Sequence, residues 1–540
     1  MKVLLTAPSA KHIHKTLAPW CLKAYCDVHV SACEVIVQEH TINDHIGDVV
    51  TKLYQSVPDV LGFFCYIWNI EQTVKVARML KKYLPYCLIV LGGPEVSFET
   101  ETGAYPFADY IIQGAGETAF AGLLQAIKSG KPPGDRMISS QSPPRLDELP
   151  SPYTEAYYKS FEESPMMTIA NQLVYFESAR GCPFSCTYCL SSTCEGVDEL
   201  TLDRVYSQLD SLVARGAKCI KFVDRTFNAN RCRAGEILQY ILSLETDCTF
   251  HFEVAADLFD AELLELTSQM PPGRVQFEIG IQSTNPETLK EIARVTDTDH
   301  ALRNIRTLIG FGNCHIHVDL IAGLPFETME TVARGIDACI QARPHMLQLG
   351  FLKLLKGTKI RENSAAYGYV YNDFAPYEVF RSGSMCFADM IKLRGIEAVI
   401  DKFYNSGVFK HSIDYALAHV FERPYQLFES LADFCKDENP KISQKHAYTM
   451  LFRFLCRHTD PEAAAHVIKL DCLTYHTKAV LPDEIPTQRD KAAEQEVKRS
   501  KQPFYKSVRV ECFPYDKKTR AFICDEKCER SGAYKVIELP

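Results

Sequence analysis

Tryptophan is nearly missing from this chain, two in 540 residues. No apolar run reaches the roughly 18 residues of a membrane-spanning helix, so a membrane partner is not expected. Positive charge is not in excess: 59 lysines and arginines stand against 68 aspartates and glutamates, a net charge of -9 spread along the chain. Nucleic acid is therefore not indicated as the partner. The opening stretch MKVLLTAPSAKHIHK has too short an apolar segment before Pro8 for a signal-peptide core, and a cytoplasmic protein is expected. The 21 cysteines are too sparse for a disulfide scaffold, which needs about 8–10%. Most sit in apolar runs such as LGFFCYI and read as small buried hydrophobes. Internal repeats and low-complexity tracts are missing as well.

The length allows three or so domains at about 150 residues each. Residues 1–130 alternate apolar runs (Val3–Thr6, Val35–Val37, Val60–Tyr66, Leu88–Leu91, Tyr110–Ile112) with helical patterns such as Glu71–Tyr83. That pattern predicts a doubly wound, flavodoxin-like α/β sheet of about five strands. Residues 131–165 read as a linker, with six prolines between Lys131 and Tyr153. Six longer β/α units over 166–360 predict a partial (β/α)6 barrel whose ligands lie at the carboxyl ends of the strands. Residues 361–540 turn mainly helical, with Leu393, Ile396, Ile400 and Phe403 marking one buried face. Val508–Phe513 and Arg520–Cys524 read as a terminal hairpin, and the charged stretch Gln488–Lys501 as a surface helix.

One motif carries chemistry. ARGCPFSCTYCLSS places Cys182, Cys186 and Cys189 in a C-x3-C-x2-C loop after the first barrel strand. Three thiolates can wrap one corner of a 4Fe–4S cubane and leave one iron without a protein ligand. A structural zinc site would close with four ligands, usually paired C-x2-C units, and no second pair follows. Cys194 would close the open iron and is read as a loop residue. Cys512, Cys524 and Cys528 on the predicted hairpin have no fourth partner and read as incidental.

The cysteine motif resembles that of the radical S-adenosylmethionine superfamily, in which the open iron binds the amino and carboxylate groups of S-adenosylmethionine. The segments HFEVAAD, FEIGIQSTNPETLKEIAR and HVDLIAGLPFET are similar to the branch that includes the oxygen-independent coproporphyrinogen oxidase. That resemblance implies S-adenosylmethionine contacts for Glu253, Gln282, Arg294 and Asp319, at strand ends where a barrel holds its ligand. Tyr188 is placed to pack beside the adenine, and Asp224 is a weaker candidate whose alternative is a plain strand-end cap.

In the first domain the crevice outside the strand ends is expected at 7–16, 65–70, 92–97 and 114–118. The segments L-G-G-P and G-A-G-E, with Gly92, Gly93, Gly114, Gly116 and Glu117, resemble a cobalamin-binding domain. Their glycines let backbone approach a bulky flat ligand. The mutase-type D-x-H-x-x-G motif has only a near match, Asp27 to Ala32, which lacks the glycine, so no histidine from it is expected on the cobalt. His12 and His14 follow the first strand within reach of the corrin, and Trp68 is a candidate to pack on it. The last third resembles radical proteins with a C-terminal domain of unassigned function. The resemblance implies three cofactors: a 4Fe–4S cluster, S-adenosylmethionine and cobalamin. It also implies methylation of an unactivated carbon of a small-molecule or peptide substrate, with electrons from a donor such as flavodoxin or ferredoxin. A radical cyclase or rearrangement enzyme is the alternative, and a non-catalytic cobalamin or redox sensor a further one.

Overall fold

The computed structural model describes residues 1–540 except 102, 141–143, 163–166, 195, 438–442, 477, 501–504, 529, 530 and 540. The expected boundary between 165 and 166 therefore lies outside the described residues, as do Pro143 of the linker and Lys501 of the charged stretch.

The first sheet contains β1 (Lys2–Ser9), and the chain then forms the short β2 (His14–Lys15), discussed below. β3 (Glu34–Thr41), β4 (Val60–Phe64), β5 (Leu88–Gly92), β6 (Tyr110–Gln113) and β7 (Met137–Ser139) complete the first sheet. Its order is β3-β1-β4-β5-β6-β7, all parallel. Alternation along β1 fixes the two faces. Leu4 packs with Val49, Leu53, Val76 and Leu80 of one helix pair. Val3 and Leu5 pack with Cys26, Phe120 and Leu124 of the other pair. Chain order reverses between β1 and β4, so the ligand crevice opens at their carboxyl ends. The expected flavodoxin-like sheet is present, with one difference: β7 lies inside the predicted linker. A three-residue strand held by its pairing to β6 carries too little apolar pattern to announce itself.

The second parallel sheet is curved, in the order β15-β14-β13-β12-β11-β8-β2. It comprises β8 (Leu173–Phe176) and, beyond the small ribbon of β9 (Ala179–Gly181) with β10 (Val197–Glu199), β11 (Cys219–Phe222) and β12 (Thr249–Val254). β13 (Val275–Gln282), β14 (His315–Ala322) and β15 (Met346–Phe351) follow. The six β/α units are as expected, but a seventh strand comes from the other end of the chain. β2 leaves the first domain and pairs His14 with Leu173 and Lys15 with Val174. Burial fixes Lys15 there: its ammonium is ion-paired with Glu39 and lies over the rings of Trp20, Tyr157 and Phe161.

Beyond β15 a short ribbon, β16 (Val370–Tyr371) with β17 (Val379–Arg381), precedes the helices. Leu393, Ile396, Ile400 and Phe403 are buried as predicted, the last two on a π-helical continuation, Ile400–Asn405. These helices share one continuous apolar core with the barrel. The terminal hairpin is present as β18 (Val508–Phe513) and β19 (Lys518–Lys527), and β20 (Tyr534–Leu539) extends it to three strands. Cys512 lies opposite Thr519, while the Cys524 amide donates to Ser507. Five residues of strand, about 17 Å, thus separate the two thiols, which do not converge on a metal. The charged stretch forms the helix Lys491–Arg499, with Glu494 and Val497 turned inward onto β18.

Candidate active site

The carboxyl ends of the two parallel sheets meet at one seam. From the first domain, Glu117 at the start of a helix accepts from Arg180 on β9 at 2.9 Å, and Glu177 takes the other edge of that guanidinium. Glu95 accepts from the Tyr377 hydroxyl at 2.7 Å, and Glu99 pairs with Arg361 at 2.9 Å. Gly357 lies so close to Phe98 that a Cβ would stand 2.4 Å from its ring. The cysteine loop and the strand ends of the first domain are thereby brought face to face.

The loop itself is clamped from both sides. The Thr187 amide donates to Ile292, and the Ile360 amide donates to the Thr187 carbonyl. Cys186 is buried, whereas Cys182 and Cys189 are partly open. Cys182 Sγ lies 3.7 Å from the Thr226 hydroxyl, and Cys189 Sγ accepts from the Ser191 amide. Burial pushes the Cys186 thiol up, and the neighbouring Arg294 and Tyr188 hydroxyl draw it back down. Tyr188 packs its ring among Leu289, Ile292, Leu324 and Leu352.

Arg294 donates to the Gly280 carbonyl at 2.7 Å, while its Nε is buried and unpartnered. Gln282 sits at φ +68° beyond a bulge in the β13–β14 pairing. Its amide folds back over Gly280 so closely that a Cβ there would meet Nε2 at 2.0 Å. Gly280 is thus a site residue that the sequence reading passed over. Its signal is the G of FEIGIQS, which reads as an ordinary strand glycine until the bulge is seen.

On the inner barrel face Lys221 lies 2.8 Å from Glu278 and 3.8 Å from Glu253. Burial raises Glu253, and burial with the charges of Glu278 and Glu253 pushes Asp319 to about 8. Asp224 accepts from the Ser178 and Ala179 amides and the Ser178 hydroxyl, and burial pushes it up to about 6. It is the strand-end cap of its alternative reading.

At the first domain's crevice, Trp68 stacks on Tyr66 at 4.4 Å, donates to Pro8 and is 48% exposed. A flat apolar face therefore borders the β1–β4 opening. Gly93, at φ +107°, has its Cβ position blocked by the Cys65 carbonyl at 2.6 Å, so its lack of a side chain serves strand packing. Gly92 and Gly114 have no contact closer than 3.8 Å at that position, and Gly116 meets Leu22 at 3.3 Å. Two of the residues expected there have protein partners. His14 stacks on Tyr175 and shares a 2.8 Å hydrogen bond with its hydroxyl, turned into the barrel because β2 joins that sheet. Glu117 is engaged by Arg180 and belongs to the seam. His12 is exposed, 3.8 Å from Asp44.

Three family models match the chain. Residues 4–124 match a B12 binding domain, 176–338 the radical SAM superfamily, and 365–519 a protein of unknown function (DUF4080). A cobalamin-binding domain is thus followed by a radical S-adenosylmethionine domain, the arrangement of the cobalamin-dependent radical S-adenosylmethionine enzymes. Among curated relatives it is 25% identical over 320 residues to 2-(S-pantetheinyl)-carbapenam-3-carboxylate methyltransferase of Streptantibioticus cattleyicolor, covering 53% of this chain and 46% of that one. It is 26% identical over 335 residues to the cobalamin-dependent radical SAM methyltransferase TokK of Streptomyces tokunonensis, covering 55% and 47%. The chain spans about half the length of these relatives. The solved structure of the cobalamin-dependent S-adenosylmethionine radical enzyme OxsB superposes with a TM-score of 0.63 at 14% identity, covering 87% of this chain and 79% of that one. That likeness shows the fold.

The family implies a 4Fe–4S cluster, S-adenosylmethionine and cobalamin, and the residues present fit them. In one short loop, Cys182 and Cys189 are partly open and Cys186 is buried beside Arg294. Three thiols so placed, with no fourth in the motif, suit three irons of a cubane. The orphaned Arg294 Nε beside Cys186 fits an anionic group next to the open iron. The Tyr66–Trp68 stack fits the flat corrin.

Proposed function

We propose that the chain methylates an unactivated carbon of a small-molecule or peptide substrate held between the two sets of strand ends. The observation that supports this most is Arg294, whose buried, unpartnered Nε lies at the barrel mouth beside Cys186. When bound, S-adenosylmethionine, the reduced cluster and cobalamin supply the 5′-deoxyadenosyl radical and the methyl group. The protein's own work is binding, orientation and exclusion of water. Cys182, Cys186 and Cys189 give up their protons to take iron, and Arg294 eases this at Cys186, the most buried of the three. Arg294 pairs with the methionine carboxylate while keeping its bond to Gly280. The Gln282 amide, held by its bulge, and Tyr188 line the same ligand. Glu253 accepts from a ribose hydroxyl. Asp319, pushed to about 8, keeps a proton at neutral pH and can both donate and accept there. Trp68, Gly92, Gly93, Gly114 and Gly116 border the cobalamin side, with exposed His12 at its edge and no lower-face histidine from a D-x-H-x-x-G motif. A flavodoxin- or ferredoxin-type donor delivers the electrons.

The test uses anaerobically reconstituted, cobalamin-loaded protein, a reductant, methyl-deuterated S-adenosylmethionine and fractionated small molecules and peptides. Deuterated methyl appearing in a product heavier by one methylene group is the expected result. Formation of 5′-deoxyadenosine with an unlabelled product identifies a cyclase or rearrangement enzyme instead. Intact S-adenosylmethionine in loaded protein overturns the radical reading altogether.

A further inference from the structure

Beneath the strand ends the inner barrel wall carries three ionisable side chains to which the cofactors give no role, Glu278, His251 and His317, beside Glu253 and Asp319. Parallel pairing aligns Glu253, Glu278 and His317 across β12, β13 and β14, with Asp319 one step nearer the mouth and His251 one step below. Strand alternation turns all of them to the inner face, while Phe252, Phe277, Ile279, Val318 and Leu320 pack outward. His317 Nε2 lies 3.2 Å from Asp319 Oδ1, and His251 Nε2 lies 3.1 Å from Glu278 Oε2. Glu278, His317 and Asp319 each bring a donor atom within 4.8 Å of the other two.

These separations have an unusual character. His317 is only 8% exposed, yet neither its Nε2 nor Asp319 Oδ1 makes a hydrogen bond. The two atoms approach to 3.2 Å without the N–H pointing at the acceptor, so both border the same space. Two ligands that each stand about 2.0–2.1 Å from one ion lie about 3 Å apart at tetrahedral or octahedral angles. The His317–Asp319 spacing is that of two ligands to one cation, and Glu278 brings a third donor atom within 4.8 Å of both.

We propose that Glu278, His317 and Asp319 form a divalent metal site inside the barrel, separate from the cysteine cluster. One imidazole and two carboxylates without a thiolate suit zinc, iron(II), manganese(II) or cobalt(II). Charge agrees: Glu253 and Glu278 share the one ammonium of Lys221, with Arg225 acting on Glu253 as well, and Asp319 has no ion pair with a lysine or arginine among the described residues. Lys221 is the competitor, since its ammonium reaches Glu278 Oε2 at 2.8 Å, and Glu253 is the partner it keeps when an ion takes Glu278. Asp319 presents Oδ1 to the site, so an ion there would displace the proton that the carboxyl otherwise keeps and leave the second oxygen to accept from the ribose. An ion here has its remaining coordination positions toward the barrel mouth. It would hold a substrate oxygen or nitrogen below the reacting carbon, which favours substrates bearing a carboxylate, carbonyl or hydroxyl. The site rests on its own geometry, while its place in substrate binding rests on the reading given above.

The test is cobalt(II) titration of the full chain carrying Cys182→Ala, Cys186→Ala and Cys189→Ala, so that no iron cluster competes. One equivalent with visible ligand-field bands and no sulfur-to-cobalt charge transfer is expected. Glu278→Gln, which keeps shape, and His317→Ala should each weaken binding at least tenfold, and Lys221→Met should tighten it. Bands dominated by charge transfer from the remaining thiols, equal uptake in the Glu278→Gln chain, or no uptake even with Lys221→Met would overturn the site. S-adenosylmethionine cleavage by the unmodified, reconstituted chain is measured alongside. Cleavage without a cobalt site defeats this inference alone, and a cobalt site without cleavage defeats only the radical reading.

Discussion

Arg294 is the side chain on which the site turns, because it touches both the thiol loop and the bulged strand. Removing it deletes the proposed charge-assisted contact to the ligand carboxylate, worth about 1.5–3 kcal/mol, without removing any thiolate. Arg294→Ala is expected to weaken S-adenosylmethionine binding by roughly tenfold or more in calorimetry, with iron content and visible spectrum unchanged. Gly280 provides a second test. An alanine there would occupy the place of the Gln282 amide, so Gly280→Ala should swing that side chain away and loosen the ligand about tenfold, again with the cluster intact. Of these residues, the cysteines and Arg294 were legible in the sequence, since their spacing belongs to a short loop and a motif. Gly280, His251, Glu278 and His317 were not. Polar residues at alternate strand positions look the same in a sequence whether they face solvent or a barrel interior.

At the level of strands and helices, long apolar runs announced themselves and short pieces held by pairing did not. The six barrel strands and the first five strands of the N-terminal sheet carry enough apolar period to be read directly. β2 and β7, two and three residues long, exist because a neighbouring strand offers them partners. β3 carries a pH-dependent feature at its end. Burial holds His40 down to about 4, with Thr6 Oγ1 3.2 Å from its Nδ1. In the unfolded chain it titrates near its ordinary value of about 6.5. Its neutral form is therefore fully favourable to folding above that value, and stability is lost as pH falls from 6.5 to 4, by about 3 kcal/mol in total. Trp68 lies at the first domain's crevice and Trp20 packs on Tyr157 where that domain meets the barrel, so tryptophan fluorescence reports unfolding of the first domain and its junction. His40→Gln should flatten the fall of its denaturation midpoint across that interval, and an equally steep fall in the variant would place the proton uptake elsewhere.

For the whole molecule, the seam between the sheets decides whether the two cofactor faces stay opposed. Glu117 is 7% exposed at its side chain and has Arg180 as its cation, and Arg180 is 31% exposed. Arg180→Ala strands a buried carboxylate, a loss at the lower end of the range for broken buried pairs, about 3 kcal/mol, because water already reaches the arginine. Hydrogen exchange should quicken in the helix Glu117–Lys128 and in β9 while the barrel core stays protected. Adding Glu117→Gln should restore much of the protection. If exchange is unchanged, the seam is held by Glu95, Glu99 and Phe98 instead.

The crossing of β2 into the second sheet has a consequence for how the chain can be divided. Cutting between 131 and 140 leaves the N-terminal fragment still stitched to the barrel by the backbone bonds of His14 and Lys15 and by Tyr157 and Phe161 of the other piece, which close over the Lys15 ammonium. A proteolytic nick in that segment should thus yield two pieces that co-elute under native conditions and separate only in denaturant. Expressing 166–540 alone removes the staple as well as the first domain. It bares the edge of β8, an open row of amide and carbonyl groups ready to pair with another copy. That fragment should aggregate where the nicked protein does not.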